Sequence, residues 1–234
     1  MGFYISVLFP QIFFAISAIL FNPSNLVKIP QGRLPVSFLS LGDSYTIGES
    51  VDETDRWSVQ LAGMLRKNGV DMANPDIIAR TGWTTAELQD AIKATGNQKT
   101  YSLVSLLIGV NNQYRAQDQA RYRTEFRKLL QTATKLAGGN GTHVLVLSIP
   151  DWGTSPFAAD RDKVKIGSEI DQFNSIAKEE CQKVGIAFVD ITPISRLAAG
   201  DPGQFASDGL HYSGRQMKKW AEKALPVAKE LLEK

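Results

Sequence analysis

The sequence predicts an α/β fold in which helices cover both faces of a parallel sheet. Short, continuous apolar runs are typical of strands that are buried on both faces. Along this chain they alternate with longer runs whose apolar residues recur at helical spacing. Turn residues, mostly glycine, separate these runs, and the sequence contains no internal repeat. Together these observations predict three layers, α/β/α, with about five strands.

The predicted strands are the short apolar runs. In chain order they span residues 36–41, 76–79, 102–108, 143–149 and 186–191. The run at 102–108 is the most apolar, and Gly109 ends it, just as Gly42 ends the first run. No strand reaches the length of a helix, which favours strands over buried helices.

The predicted helices lie between the strands and after the last one. In chain order they span residues 57–68, 84 to about 94, 115–137, 166–184 and 213–232. Thr84 and Glu87 have the T-x-x-E spacing of a capping box, which begins the second helix. Gly69 ends the first helix and Gly185 ends the fourth.

Composition excludes several classes of protein. The 234 residues include 26 Lys and Arg against 24 Asp and Glu, without a basic cluster of the kind that nucleic-acid binding requires. A hydrophobic fraction of 43% excludes a largely disordered chain. One cysteine and two histidines exclude an intrachain disulfide and a zinc site built mainly from Cys and His.

The N-terminal segment differs from the rest of the chain. Residues 1–21 contain no charged side chain, and the first charge is Lys28. We expect a signal peptide or a membrane anchor here, so that the protein is exported (periplasmic or extracellular) or tethered to a membrane through residues 3–21. A buried helix of the main domain is the alternative. Residues 22–35 then form a linker, and residues 36–234 form one α/β domain.

Polar residues follow the strands at the edge where a parallel sheet commonly carries its chemistry. Ser44 follows the first strand in a Gly-Asp-Ser sequence and is the predicted nucleophile. His211 is the predicted base, because the other histidine, His143, lies at the start of a strand. Asp208, three residues before His211, can orient the imidazole and stabilise its charged form.

The same edge offers donors for a developing oxyanion. Gly82 can present an unobstructed main-chain N–H and Asn111 a side-chain amide, with the main-chain N–H of Ser44 as the third donor. Each residue alone carries little information. Their placement after successive strands favours an oxyanion hole.

Four sequence blocks together resemble the SGNH (GDSL-type) hydrolase family. They are residues 38–45 (FLSLGDSY), Gly82, residues 109–111 (GVN) and residues 208–211 (DGLH). The resemblance implies a flavodoxin-like fold, catalysis by Ser44, His211 and Asp208, and an oxyanion hole from Ser44, Gly82 and Asn111. It covers most of the chain after the N-terminal segment.

The sequence departs from the family pattern at two positions. Asn112 stands where the third block usually has Asp, and we expect this to affect loop geometry or substrate preference more than activity. Tyr212 stands where Pro often follows the histidine, and it could line the leaving-group side. Neither change removes a catalytic atom.

The implied reaction is hydrolysis of a carboxylic ester through an acyl-enzyme on Ser44, without a metal or an organic cofactor. The substrate is expected to be a small acyl ester, such as an acetylated carbohydrate or a short-chain lipid ester. Trp83, Trp152 and Phe157 follow strand ends and could line its pocket, although core packing explains them equally well. The oligomeric state is left open.

The sequence disfavours two other classes of function. A catalytically silent carbohydrate- or lipid-binding protein on the same scaffold is disfavoured because Ser44 and His211 are both present. A nucleotide- or flavin-binding module needs a glycine-rich phosphate loop after the first strand. Residues 42–48 (GDSYTIG) lack that pattern, and Asp43 would repel a phosphate.

Overall fold

The computed structural model describes residues 35–233, which contain a five-stranded parallel sheet flanked by helices. The strands are β1 (Phe38–Gly42), β2 (Asp76–Ala79), β3 (Leu103–Leu107), β4 (Val144–Leu147) and β5 (Ala187–Val189). Their order in the sheet is β2-β1-β3-β4-β5, and every neighbouring pair is parallel. The predicted fold class and the five predicted strands are confirmed.

The helices form two groups around the sheet. They are α1 (Ser44–Ile47), α2 (Trp57–Lys67), α3 (Thr85–Ala94), α4 (Val110–Tyr114), α5 (Gln119–Leu136), α6 (Lys163–Lys183), α7 (Thr192–Arg196) and α8 (Gly214–Leu232). Helices α2 and α8 pack on each other, and α5 packs against both α3 and α6. β1, β3 and β4 are buried along their whole lengths, as their continuous apolar sequences predict.

The predicted capping box at the start of α3 is confirmed. The Thr84 hydroxyl accepts from the Glu87 N–H, and the Glu87 carboxylate accepts from the Thr84 N–H at 2.8 Å. This reciprocal pair satisfies main-chain donors that the first turn of a helix leaves free. The short strand at 76–79 also has the bounds that the sequence predicts.

The helix predicted at 115–137 corresponds to α5, which begins later than predicted, at Gln119, and ends at Leu136. Residues 115–118 are not helical, because Ala116 adopts a left-handed conformation (φ 50°) that separates α5 from the preceding short helix α4. Asp118 then caps α5, with its carboxylate accepting from the Arg121 N–H at 2.9 Å. Three short helices, α1, α4 and α7, were not predicted, since one or two turns carry no periodic signal.

The strand order leaves a crevice beside β1 and β3. From β1 the chain crosses to β2 on one side, and then returns to β3 on the other side of β1. The loops that follow β1 and β3 therefore diverge, which opens a crevice at the carboxyl ends of these strands. Ser44 follows β1 and Asn111 follows β3.

The predicted signal peptide or anchor and residues 22–34 of the predicted linker lie outside the described residues. Within residues 35–233, no helix combines the length and the apolar character that a membrane span needs.

Candidate active site

Ser44 lies in a sharp strand-to-helix turn at the carboxyl end of β1. Gly42 is required there, because a Cβ atom at this position would lie 2.2 Å from the Thr46 Oγ1 and 2.4 Å from the Leu107 carbonyl oxygen. Asp43 caps α1 by accepting a 3.1 Å hydrogen bond from the Tyr45 N–H. Ser44 thus begins α1 with 5% of its surface exposed, at the edge where the sheet opens.

Asp208 and His211 form a short hydrogen bond of 2.6 Å between Asp208 Oδ2 and His211 Nδ1. The other carboxylate oxygen, Oδ1, accepts from the main-chain N–H groups of Leu210 and His211, both at 2.9 Å. Because an ionised carboxylate can only accept, Nδ1 carries the imidazole proton and Nε2 is left as the acceptor. This is the tautomer that a general base toward serine requires.

The electrostatics of Asp208 favour its charged form. Burial raises the pKa of Asp208, but the hydrogen bonds from His211, Leu210 and Ser50 outweigh this effect and hold the pKa well below its usual range. The carboxylate is therefore ionised at neutral pH, where it can stabilise an imidazolium at His211.

The turn that carries His211 packs against the helix that carries Ser44. The Tyr45 ring meets the His211 ring edge-on, with 5.8 Å between the ring centroids. Within residues 35–233 no hydrogen bond joins Ser44 to His211, and such catalytic bonds commonly tighten only when substrate binds. The structure thus brings Ser44, His211 and Asp208 to one end of the sheet.

Gly82 lies in the turn after β2, beside β1. Its φ of 85° is in the left-handed region that favours glycine. Arg115 binds the Gly82 carbonyl oxygen at 2.6 Å and also pairs with Glu87 at 3.3 Å. Arg115, at the end of α4, therefore ties this turn to the helix that carries Asn111.

Asn111 is half-buried in α4, and its side-chain amide nitrogen donates to the Trp83 carbonyl oxygen at 3.0 Å. One N–H of the amide is used in this way, and the second is left for another acceptor. The contact joins the loop after β3 to the loop after β2. Two of the predicted oxyanion donors, Asn111 and Gly82, consequently lie on directly connected loops.

Asn112 is fully buried and belongs to the scaffold beneath these loops. Its Oδ1 accepts from the Thr85 N–H at 3.1 Å, while its Nδ2 donates to the Thr85 hydroxyl at 2.7 Å and to the Gln117 side chain. The residue joins the start of α3 to α4. Its position agrees with the expectation that the change from Asp affects loop geometry.

The predicted substrate-binding aromatic residues differ in how exposed they are. Trp83 is half-buried beside Gly82. Trp152 is nearly buried, with its indole N–H bound to Gln113 at 2.8 Å, between the exposed rings of Tyr114 and Phe157. These two rings, and not Trp152, present the aromatic surface there.

Tyr212 does not line the site. Its side chain is fully buried and packs against Tyr45 and Trp220, and its hydroxyl donates to the Asp151 carbonyl oxygen at 2.8 Å. The prediction of a contact on the leaving-group side is wrong, because the side chain points into the core beneath the turn of Asp208 and His211.

Asp43 is fully buried next to Ser44, and its Oδ2 has no hydrogen-bond partner among the described residues. Burial raises the pKa of Asp43 to about 7, against the opposing effect of main-chain hydrogen bonds such as the one from Tyr45. The carboxyl therefore changes its charge near neutral pH.

Sequence reasoning missed two residues that contact the site, Ser50 and Arg115. Ser50 donates to the Asp208 Oδ2 at 2.8 Å, across 158 positions of sequence. Neither residue lies in a motif or at a strand end. Only the tertiary contacts identify them.

A family model described as the GDSL-like lipase/acylhydrolase family matches residues 40–219. No curated protein matches the sequence significantly. Solved structures show the same fold at low sequence identity. TesA is 20% identical with a TM-score of 0.65, and the match covers 83% of this chain and 99% of TesA.

Two further structures are similar to this chain. The psychrotrophic esterase EstA from Pseudoalteromonas sp., in a form inhibited by monoethylphosphonate, is 14% identical with a TM-score of 0.64, covering 85% of this chain and 99% of EstA. A variant of Axe2, an acetyl xylan esterase from Geobacillus stearothermophilus, is 17% identical with a TM-score of 0.62, covering 83% of this chain and 96% of Axe2.

Proposed function

Since the chain belongs to the GDSL-like lipase/acylhydrolase family, we propose that it is a serine esterase that acts through Ser44, His211 and Asp208. The observation that carries this proposal is the 2.6 Å bond between Asp208 and His211, in a turn that packs on the helix of Ser44. An ionised carboxylate, an oriented imidazole and a serine at a strand end are the groups that acyl transfer requires.

The chemistry follows from the positions of these groups. His211 Nε2 takes the proton of Ser44 as its Oγ attacks the ester carbonyl carbon, and Asp208 stabilises the imidazolium. The carbonyl oxygen becomes an oxyanion, which the N–H groups of Ser44 and Gly82 and the amide of Asn111 stabilise. The protonated His211 then gives its proton to the departing alcohol, and water repeats the sequence on the acyl-enzyme.

We propose a small acyl ester as the substrate, either an acetylated carbohydrate or a short-chain lipid ester. Axe2, which has the same fold, is an acetyl xylan esterase, and this favours testing acetylated xylan first. The exposed rings of Tyr114 and Phe157 beside Trp152 offer an apolar surface for a sugar ring or an acyl chain.

Two measurements test the proposed reaction. A fluorophosphonate probe should label Ser44, as peptide mass spectrometry would show, and Ser44→Ala should abolish the label. A series of p-nitrophenyl esters from acetyl to decanoyl, assayed beside acetylated xylo-oligosaccharides, should show turnover that falls with acyl length. Binding of acetylated sugars without turnover, in a protein that the probe does not label, would identify a silent binding protein instead.

We also propose that residues 1–21 direct export or tether the protein to a membrane. The uncharged apolar sequence of this segment supports the proposal. N-terminal sequencing of the protein from fractionated cells tests it. A chain that retains Met1 in the soluble cytoplasmic fraction would contradict it.

A further inference from the structure

We propose that Ser50 is a positioning residue for the reaction, whose hydroxyl holds the Asp208 carboxylate in the orientation that His211 needs. The inference rests on the proposed function, because Asp208 matters only if His211 is the base. Ser50 Oγ donates to Asp208 Oδ2 at 2.8 Å, and the same oxygen binds His211 Nδ1 at 2.6 Å.

The hydrogen bonds to the Asp208 carboxylate show what Ser50 adds. Oδ1 receives two main-chain N–H groups, from Leu210 and His211, and both belong to the turn of Asp208 itself. Oδ2 receives His211 and Ser50. Among the described residues, Ser50 is therefore the one donor that comes from a different part of the chain. It ties the triad turn to the segment that follows the nucleophile helix α1.

The backbone of this segment is shaped to place that hydroxyl. Ser50 has a φ of 63°, and within residues 35–233 only Ala116 is another non-glycine residue with a positive φ. A serine in this conformation costs conformational free energy, and such strain is retained mainly at functional sites. Gly48, also left-handed, ends α1 and turns the chain toward the triad.

A second contact holds the same segment on its other side. The Glu49 carboxylate accepts a hydrogen bond from the Thr81 hydroxyl, next to Gly82. Consecutive residues after α1 thus contact the predicted oxyanion turn and the triad turn. With Ser44 at the start of α1, residues 44–50 join all three parts of the site.

Loss of the Ser50 hydroxyl should weaken catalysis without abolishing it. Asp208 would keep its main-chain bonds and its bond to His211, but Oδ2 would lose a protein donor and admit water. We expect kcat to fall about tenfold, the size of one such hydrogen bond, with KM within twofold. The acidic limb of the pH profile of kcat/KM should move to higher pH, because the carboxylate then attracts a proton on His211 more strongly.

The test compares Ser50→Ala, which removes the hydroxyl, with Ser50→Gly, which also relieves the positive φ. The matched control is Ser175→Ala on α6, where an exposed hydroxyl donates to the Glu179 carboxylate at 3.4 Å. Thermal unfolding confirms that each variant is folded. Two titratable residues beside Ser44, Tyr45 and Asp43, are unchanged in every variant, and burial raises the pKa of both. Differences between the profiles therefore report on His211 and Asp208.

The inference predicts the same loss of kcat and the same shift of the acidic limb in Ser50→Ala and Ser50→Gly. Activity equal to that of Ser175→Ala would overturn it. Recovery of activity in Ser50→Gly would also overturn it, since the backbone conformation and not the hydroxyl would then be responsible for the loss. An acidic limb that does not move in either variant would overturn it as well. Ser44→Ala is assayed in parallel. Full activity in that variant would exclude the proposed triad mechanism, and so would distinguish a failure of the proposed function from a failure of the role of Ser50.

Discussion

The side-chain amide of Asn112 donates a 2.7 Å hydrogen bond to the hydroxyl of Thr85, whose own proton goes to the Glu125 carboxylate at 2.6 Å. Because the Thr85 proton is already used, the Thr85 oxygen can only accept from position 112. An amide satisfies this requirement and an ionised carboxylate does not. The network therefore explains why Asn, and not the Asp that is usual in the family, suits this chain.

Asn112→Asp should lower the free energy of unfolding by about 1–3 kcal/mol, the cost of an unsatisfied buried polar group. The deficit should be larger at pH 8 than at pH 4, because the introduced carboxyl is ionised at the higher pH. Denaturant unfolding at both values measures it. Asn140→Asp is the control, since the exposed Asn140 side chain accepts from Thr142 through an oxygen that Asp retains. Equal stability of the two variants would contradict the network.

Ser44→Ala should reduce ester hydrolysis by about 10⁴-fold or more while the fold is retained. The reason is that no other group replaces the attacking oxygen at the end of β1. Turnover of p-nitrophenyl acetate and circular dichroism provide the two readouts. Turnover close to that of the unchanged protein would exclude the proposed mechanism.

Asn111→Ala should lower kcat by about 10²–10³ with little change in KM, the pattern of a donor that acts only in the transition state. The variant also frees the Trp83 carbonyl, so its thermal stability should be measured beside its kinetics. A rise in KM alone would make Asn111 a substrate-binding residue.

Asp208→Asn should lower kcat by up to about 10⁴, because an amide cannot stabilise the imidazolium and favours the wrong tautomer of His211. The loss of kcat in Asp208→Asn should shrink as pH rises, since hydroxide can then take the proton of Ser44. The loss of kcat in Asn111→Ala should stay constant. Profiles of kcat against pH for the two variants give the comparison. Equal losses at every pH would show that the two roles are not distinct.

Asp43→Asn should change how stability depends on pH. Burial raises the pKa of Asp43 to about 7, above its ordinary value of 3.8, so the folded protein holds a proton that the unfolded chain releases. The contribution of Asp43 to the free energy of unfolding is fully present below about pH 4, and it is lost as pH rises to about 7. The melting temperature of the variant, relative to the original protein, should therefore rise across this range. A constant difference would show that Asp43 does not titrate as described.

Glu180→Gln should have the opposite pH dependence. The Glu180 carboxylate, which is 2% exposed, binds Arg127 and Arg123 on α5 and Lys183 on its own helix α6, at 2.7–2.8 Å. The Arg127 hydrogen bond in particular lowers the pKa of Glu180 to about 2, against the effect of burial. Its contribution is therefore present above about pH 4.5 and is lost as pH falls toward 2.

At neutral pH, Glu180→Gln should cost about 1.5–3 kcal/mol of unfolding free energy, the value of hydrogen bonds to a charged group. The cost should vanish near pH 2. Denaturant titrations at pH 7, 4 and 2.5 follow the change, with Glu222→Gln on α8 as the exposed control. A deficit that is independent of pH would assign the loss to packing instead of charge.

The strands β1, β3 and β4 could be predicted because a strand buried between two layers of helices must be largely apolar, whereas the partly buried β2 and β5 were identified from shorter apolar runs. The start of α3 could be predicted because Thr84 and Glu87 make a local, reciprocal cap. The division between α4 and α5 could not, since the left-handed backbone of Ala116 leaves no mark in an alanine side chain.

The sequence by itself determined the α/β class, the order of the elements and the strand ends that carry Ser44, Gly82 and Asn111, because hydrophobic periodicity and glycine placement are local properties of the chain. Tertiary structure alone decided that Tyr212 points into the core and that Ser50 reaches Asp208. Both outcomes depend on how segments more than 100 positions apart pack together. The packing of distant segments sets the direction of a side chain, and no local pattern encodes it.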